Sequence, residues 1–139
     1  MGLRRRSREA AIKIIYQREM SGYDIEECIK LYWENLSDVE DIKEFANYLA
    51  RGVMANLDKI DALISSVSNN WAINRMHKVD LSILRLAVFE MLFSSDIPLT
   101  VSINEAIELA KKFSSDDAKS FVNGILAKIA SDLRKGGRK

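Results

Sequence analysis

Four arginines crowd the start of the chain, Arg4, Arg5, Arg6 and Arg8, and a tyrosine follows at position 16. Guanidinium groups pair with phosphate in a two-pronged geometry and stay charged. An aromatic ring beside them can stack on an unpaired base. On a helix, Arg8, Ile12 and Tyr16 climb one side in steps of four, with Arg5 nearby. That pattern suits a single strand of nucleic acid. It equally suits a solvated helix end with Tyr16 half-buried in an ordinary core. Positive charge at a helix N-terminus opposes the helix dipole, which weighs against a purely stabilising role.

Other chemistries find little material. There is one histidine, His77, so neither a histidine metal cluster nor a histidine dyad can be assembled. The single cysteine, Cys28, falls on the apolar side of a helix, as a buried inert thiol would. One cysteine excludes an internal disulfide and fits a reducing cytoplasm. No phosphate-binding glycine loop, nucleophile elbow or H-E-x-x-H occurs. Carboxylates sit at helix starts and exposed faces, not as an acid–base pair. Neither an enzyme nor a resident cofactor or metal is expected.

The surrounding pattern is helical throughout, with no strand–helix alternation. At 139 residues, 47% apolar and 29% charged, the chain suits one domain. No apolar run reaches the ~18–20 residues of a membrane span, and the arginine-rich start lacks the apolar core of a secretory signal. A first helix is predicted over 3–21 with Gly22 as its stop. A second runs from about Asp24 to Leu36. A capping box, Ser37-Asp-Val-Glu40, opens a third through about Ser66 as one long spine, with Gly52 marking a close crossing with helix 1 or 2. Asn69-Asn70 breaks the pattern. Trp71 reads as a core anchor, and Asp80 caps a very apolar helix over 81–94. Arg85 on that helix needs a carboxylate or helix-end carbonyls, since an unpaired buried charge is costly.

After Pro98, Ser102-Ile-Asn-Glu105 reads as a second capping box. Ser114-Ser-Asp-Asp117 reads as a turn into the last helix. Gly124 lies in mid-helix, where it costs roughly 1 kcal/mol relative to Ala. It implies close packing, with the 81–93 helix as the expected neighbour. Charge is uneven. Residues 1–9 and 134–139 hold eight of 21 basic and one of 20 acidic side chains, leaving 13 basic and 19 acidic, net −6, between them. Such a chain meets a polyanion at its ends and offers an acidic body to a basic partner.

Three segments resemble the NusB family of transcription antitermination factors. They are Arg4-Arg-Arg-Ser-Arg8-Glu-Ala with Tyr16; Trp71-x-x-x-Arg75, Val79-Asp80 and Ile83-Leu-Arg-Leu-Ala87-x-x-Glu90; and Ile103-Asn-Glu-Ala-Ile-Glu-Leu-Ala-Lys111 followed by Phe121-Val-Asn-Gly-Ile-Leu126. The likeness spans nearly the whole chain and implies an all-α fold of two three-helix bundles in one domain, 1–139, with halves 1–70 and 71–139. It also implies binding to single-stranded boxA RNA of ribosomal transcripts. The implied partner is NusE, a small-subunit ribosomal protein, in a heterodimer that joins RNA polymerase with NusA and NusG.

The implied RNA residues are Arg4, Arg5, Arg6, Arg8, Lys13, Tyr16, Phe113, Asp117, Lys119 and Phe121; those toward NusE are Asp80, Leu84 and Glu90. About four phosphates on a single strand give a log–log salt slope near −3. Two other readings stay open: a helical protein-interaction module without RNA binding, and the N-terminal piece of a ribosomal RNA cytosine methyltransferase. The basic tail Arg134–Lys139 reads as a natural end and speaks against the latter. Whether the free chain is a monomer or a homodimer also stays open.

Overall fold

The computed structural model describes residues 2–34, 36–69 and 72–138. Among them are seven α-helices, one 3₁₀ turn and no strand. The helices are α1 (Leu3–Ser21), α2 (Ile25–Glu34), α3 (Glu40–Ala55), α4 (Leu57–Val67), α5 (Lys78–Phe93), α6 (Leu99–Phe113) and α7 (Asp116–Lys135), with the 3₁₀ turn at Ile73–Arg75. None of the described helices is long and apolar enough to cross a membrane.

α5 is the centre. Every residue from Asp80 to Met91 is buried, the charged ones included. α1, α2 and α3 pack together on one side, and α6 and α7 pack on α5 and on each other. α1 also lies directly on α5, while α4 leaves α3 to pack on α5 and α7. Arg85 finds the carboxylates its burial demands: its Nε and Nη2 lie 2.9 Å from Asp61, and its Nη1 is 2.7 Å from Glu19. These bonds more than offset the effect of burial and raise the Arg85 pKa. The same guanidinium holds the Glu19 carboxyl below the usual range.

Several boundaries differ from expectation. α1 ends as predicted, with Gly22 left-handed at φ 74° and its N–H on the Arg18 carbonyl. The long third helix is two helices. Asn56 turns its side-chain amide back onto the Gly52 carbonyl at 2.8 Å, competing with the backbone ladder, and the helix stops there. Ser37 is not a cap: α3 begins at Glu40 with Val39 as N-cap, and Asp38 bonds the Val39 N–H and Arg6 instead.

Asp80 is not a cap either. α5 begins at Lys78, and Asp80 sits in its first turn. Pro98, not Ser102, is the N-cap of α6, so Ser102 lies inside that helix with a buried hydroxyl that finds no partner among the described residues. Ser115 does cap α7, accepting from the Ala118 N–H at 3.1 Å. The chain leaves α4 through Asn69 in the left-handed region at φ 53°; Asn70 and the core-anchor assignment of Trp71 lie outside the described residues.

Close packing was expected at both helical glycines, and only one of them has it. Gly124 is exposed, and nothing stands within 4 Å of where its side chain would be. The close approach is at Gly52, against which the Phe89 ring of α5 lies so tightly that a methyl group would overlap it. The neighbour there is α5, not α1 or α2.

Candidate nucleic-acid interface

The arginines of α1 are bound internally. Arg8 is 6% exposed, and its Nε and Nη2 each lie 2.9 Å from the buried Glu90 carboxylate. Its Nη1 reaches Glu105 at 3.4 Å. Arg5 grips the same Glu105 with two bonds, 2.6 and 3.1 Å. The Arg5 hydrogen bond, reinforced by both guanidinium charges and opposed by burial, holds the Glu105 carboxyl below its ordinary range. Arg6 takes both oxygens of Asp38 at 2.7 and 2.8 Å. Arg4 lies over the Phe45 ring of α3, its guanidinium carbon 3.8 Å from the ring centre.

Arg8 is therefore not an outward RNA contact. It sits where α5 and α6 close over α1 with Glu90 and Glu105, and a buried cation there must be paired. Arg5 and Arg6 remain partly open to solvent. Arg4 and Lys13, nine residues apart, project from opposite sides of the helix.

Tyr16 and Lys13 meet the end of α6 instead. They line an open cleft of about 470 Å³ together with Ile12, Gln17, Leu31, Tyr32 and Phe113. Lys13 and Lys112 flank the Phe113 ring with their ammonium groups 5.7 and 5.5 Å from its centre. Lys112 is also held by Glu9 at 2.9 Å. Burial pushes the Tyr32 phenol above its usual pKa. Cys28 lies buried beneath this cleft, as its apolar position implied.

A second hollow, about 420 Å³, opens between the starts of α5 and α7. Arg75, Met76, His77, Asp80, Ser115, Asp117, Ala118 and Phe121 line it. The Ser114 hydroxyl donates to Asp80 at 2.7 Å and ties the α6–α7 turn to α5 between the two hollows. Lys119 lines neither; two residues from Phe121, it projects about 200° away round α7.

The three residues assigned to NusE do not form a surface. Asp80 is 5% exposed, Glu90 2% and Leu84 0%, because α5 is surrounded by other helices. Asp80 is bonded to Ser114 and Glu90 to Arg8. Sequence reasoning missed Tyr32, Leu31 and Gln17 in the first cleft and Arg75 and His77 in the second. Tyr32 was legible only as part of an inward helix face, and Arg75 only as a matched motif position.

Residues 5–131 match the NusB family. The chain belongs to the NusB family. A transcription antitermination protein NusB from Geobacter sulfurreducens is 46% identical over 138 residues, covering 99% of this chain and all of that protein. Another from Ruminiclostridium cellulolyticum is 43% identical, covering 91% of this chain and 88% of that one. Among solved structures, T. maritima NusB has a TM-score of 0.84 at 42% identity, covering 93% of this chain and 91% of that chain. A complex of antitermination factors NusB and NusE with double-stranded RNA contains a chain of TM-score 0.85 at 27% identity, covering 95% of this chain and 98% of that one. The family is one of antitermination factors, not of enzymes.

Proposed function

We propose that this chain binds a single-stranded boxA-type RNA together with NusE and acts in transcription antitermination on RNA polymerase, alongside NusA and NusG. The observation that carries the RNA reading is the open cleft that gathers Lys13, Tyr16 and Phe113. It joins an ammonium group to two aromatic rings, the combination that binds an unpaired strand by phosphate attraction and base stacking. The solved complex of NusB and NusE with double-stranded RNA supports NusE and RNA as the partner classes.

The internal pairing changes the electrostatics expected from sequence. Arg8 drops out, while Arg5 and Arg6 stay partly open beside Glu105 and Asp38, with N–H donors that neither carboxylate takes. About three phosphate contacts give a log–log salt slope near −2, where four gave −3. Asp80 and Glu90 serve the interface from beneath, by holding Ser114 and Arg8.

The test is fluorescence anisotropy on labelled boxA and scrambled oligonucleotides, with and without NusE, at several salt concentrations. Tyr16→Ala is expected to weaken boxA binding by about 1–3 kcal/mol, the worth of one stacked base. Equal binding of both RNAs, or a Tyr16→Ala variant that binds as the wild type does, refutes the cleft as a boxA site.

A further inference from the structure

We propose that Glu105 is a positioning residue for RNA: it holds Arg5 with one edge of the guanidinium turned to a phosphate, and it cancels the charge that would otherwise attract any polyanion. The inference rests on the RNA reading above and adds to it a residue that touches no RNA itself.

A chain of charged groups runs from the core to the surface. Glu90 on α5 and Arg8 on α1 are buried and paired, and Arg8 reaches on to Glu105 on α6. The Glu105 side chain is 19% exposed, and that of Arg5, at the outer end, is 38% exposed. The Glu105 carboxylate thus has a buried cation on its inner side and a half-open one on its outer side.

Geometry decides what Arg5 can still bind. Its Nε donates to Oε1 at 3.1 Å and its Nη2 to Oε2 at 2.6 Å, so Glu105 takes the side edge of the guanidinium. The end edge, Nη1 with Nη2, keeps donors that no described residue takes. Parallel N–H groups on one edge match two phosphate oxygens. Ordering a free arginine side chain on binding weakens affinity. Arg5 is already ordered, by a carboxylate that stands inside a helix. Arg6 is held less firmly. Its Nη2 alone meets both oxygens of Asp38, which lies in the loop before α3. One nitrogen lets a guanidinium turn; two fix its plane.

Charge points the same way. The positive charges of Arg5 and Arg8 are cancelled by those of Glu90 and Glu105. Glu9 and Glu108, the other carboxylates felt at Arg5, are held by Lys112 and Lys111. A phosphate at Arg5 therefore gains from aligned hydrogen bonds more than from net attraction. Net attraction ignores sequence, whereas aligned phosphate contacts set the register in which bases are presented.

The experiment is fluorescence anisotropy of the full chain on labelled boxA and scrambled RNA across a salt series. Glu105→Gln is expected to bind scrambled RNA more tightly and to narrow the boxA preference about fivefold, within the cost of ordering one long side chain. Its salt slope should steepen by about 0.7, the share of one phosphate on a single strand, because the Arg5 charge is no longer balanced. Glu105→Asp keeps the charge and withdraws the carboxylate by one methylene. It should return the slope to the wild-type value and leave the preference narrowed. Adding Glu105→Gln to Arg5→Gln should narrow the preference no further, because Glu105 acts through Arg5. Wild-type preference and slope in Glu105→Gln overturn the positioning role and leave the RNA cleft standing. A further loss of preference in the Arg5→Gln background also overturns it and places the effect in the fold. Wild type that binds boxA no better than scrambled RNA overturns the RNA reading and this inference with it.

Discussion

Replacing each helical glycine with alanine separates two environments that the sequence makes look alike. In an exposed helix interior the change gains about 0.8–1.0 kcal/mol, because alanine has less backbone freedom to lose on folding. At Gly124 nothing stands within 4 Å of the new methyl group, so the full gain is expected. Unfolding entropy of ~2.1 cal/mol/K per residue over 139 residues converts 1 kcal/mol into a rise of about 3–4 °C in Tm.

At Gly52 the same gain meets the Phe89 ring, which is 3% exposed and held between Tyr48 and Phe93. Overpacking of this kind costs about 1–3 kcal/mol, so Gly52→Ala should come out between neutral and about 2 kcal/mol destabilised. The assay is urea unfolding of both variants with wild type, read by helical circular dichroism. Phe89→Leu added to Gly52→Ala should recover stability, with a coupling above about 0.5 kcal/mol. A Gly124→Ala variant less stable than wild type would refute the open helix face. Equal stabilisation by both substitutions would refute the close approach at Gly52.

Arg85→Ala should cost about 3 kcal/mol by urea unfolding, the low end for a broken buried pair, because Asp61 and Glu19 keep about a quarter of their exposure. Acid should unfold the protein through Glu19 and Glu105. Both carboxyls are held below the ordinary 4.5, so the folded state binds fewer protons than the unfolded chain. Their contribution is complete above about pH 4.5 and is lost as pH falls through the folded values. Urea midpoints measured down this range should show a shallower acid limb in Glu105→Gln. Arg138→Ala should speed amide exchange in the α5–α6 turn, because its guanidinium holds the Met91, Ser94 and Ile97 carbonyls.

The helices themselves were readable because apolar spacing and Gly22 are local signals. Helix starts were less so. Ser37 and Ser102 each head a capping pattern, but α3 starts at Glu40 itself, and the Glu105 of the second pattern is taken by the distant Arg5. The break at Asn56 rests on one side-chain amide within a stretch whose apolar period runs straight through. In the site, Tyr16, Lys13 and Phe113 were legible through type and motif. The burial of Arg8, Leu84 and Glu90 was not, because it depends on which helix covers α5 and α1. A charge's sign can be read along a chain; the carboxylate that neutralises it, 82 or 100 residues away, cannot.

The Arg8–Glu90 pair has a consequence during synthesis. Its members are 82 residues apart. At ~5–20 residues per second, the ribosome leaves the arginine without its carboxylate for about 4–16 s. Through that interval α1 can pack on α2 and α3, but its α5-facing side, Arg8 included, stays open to water. Burying that guanidinium before its carboxylate exists would be costly. Completion of the core is thus timed by the second half of the chain, with Arg8 waiting for Glu90 on α5 and Arg5 for Glu105 on α6.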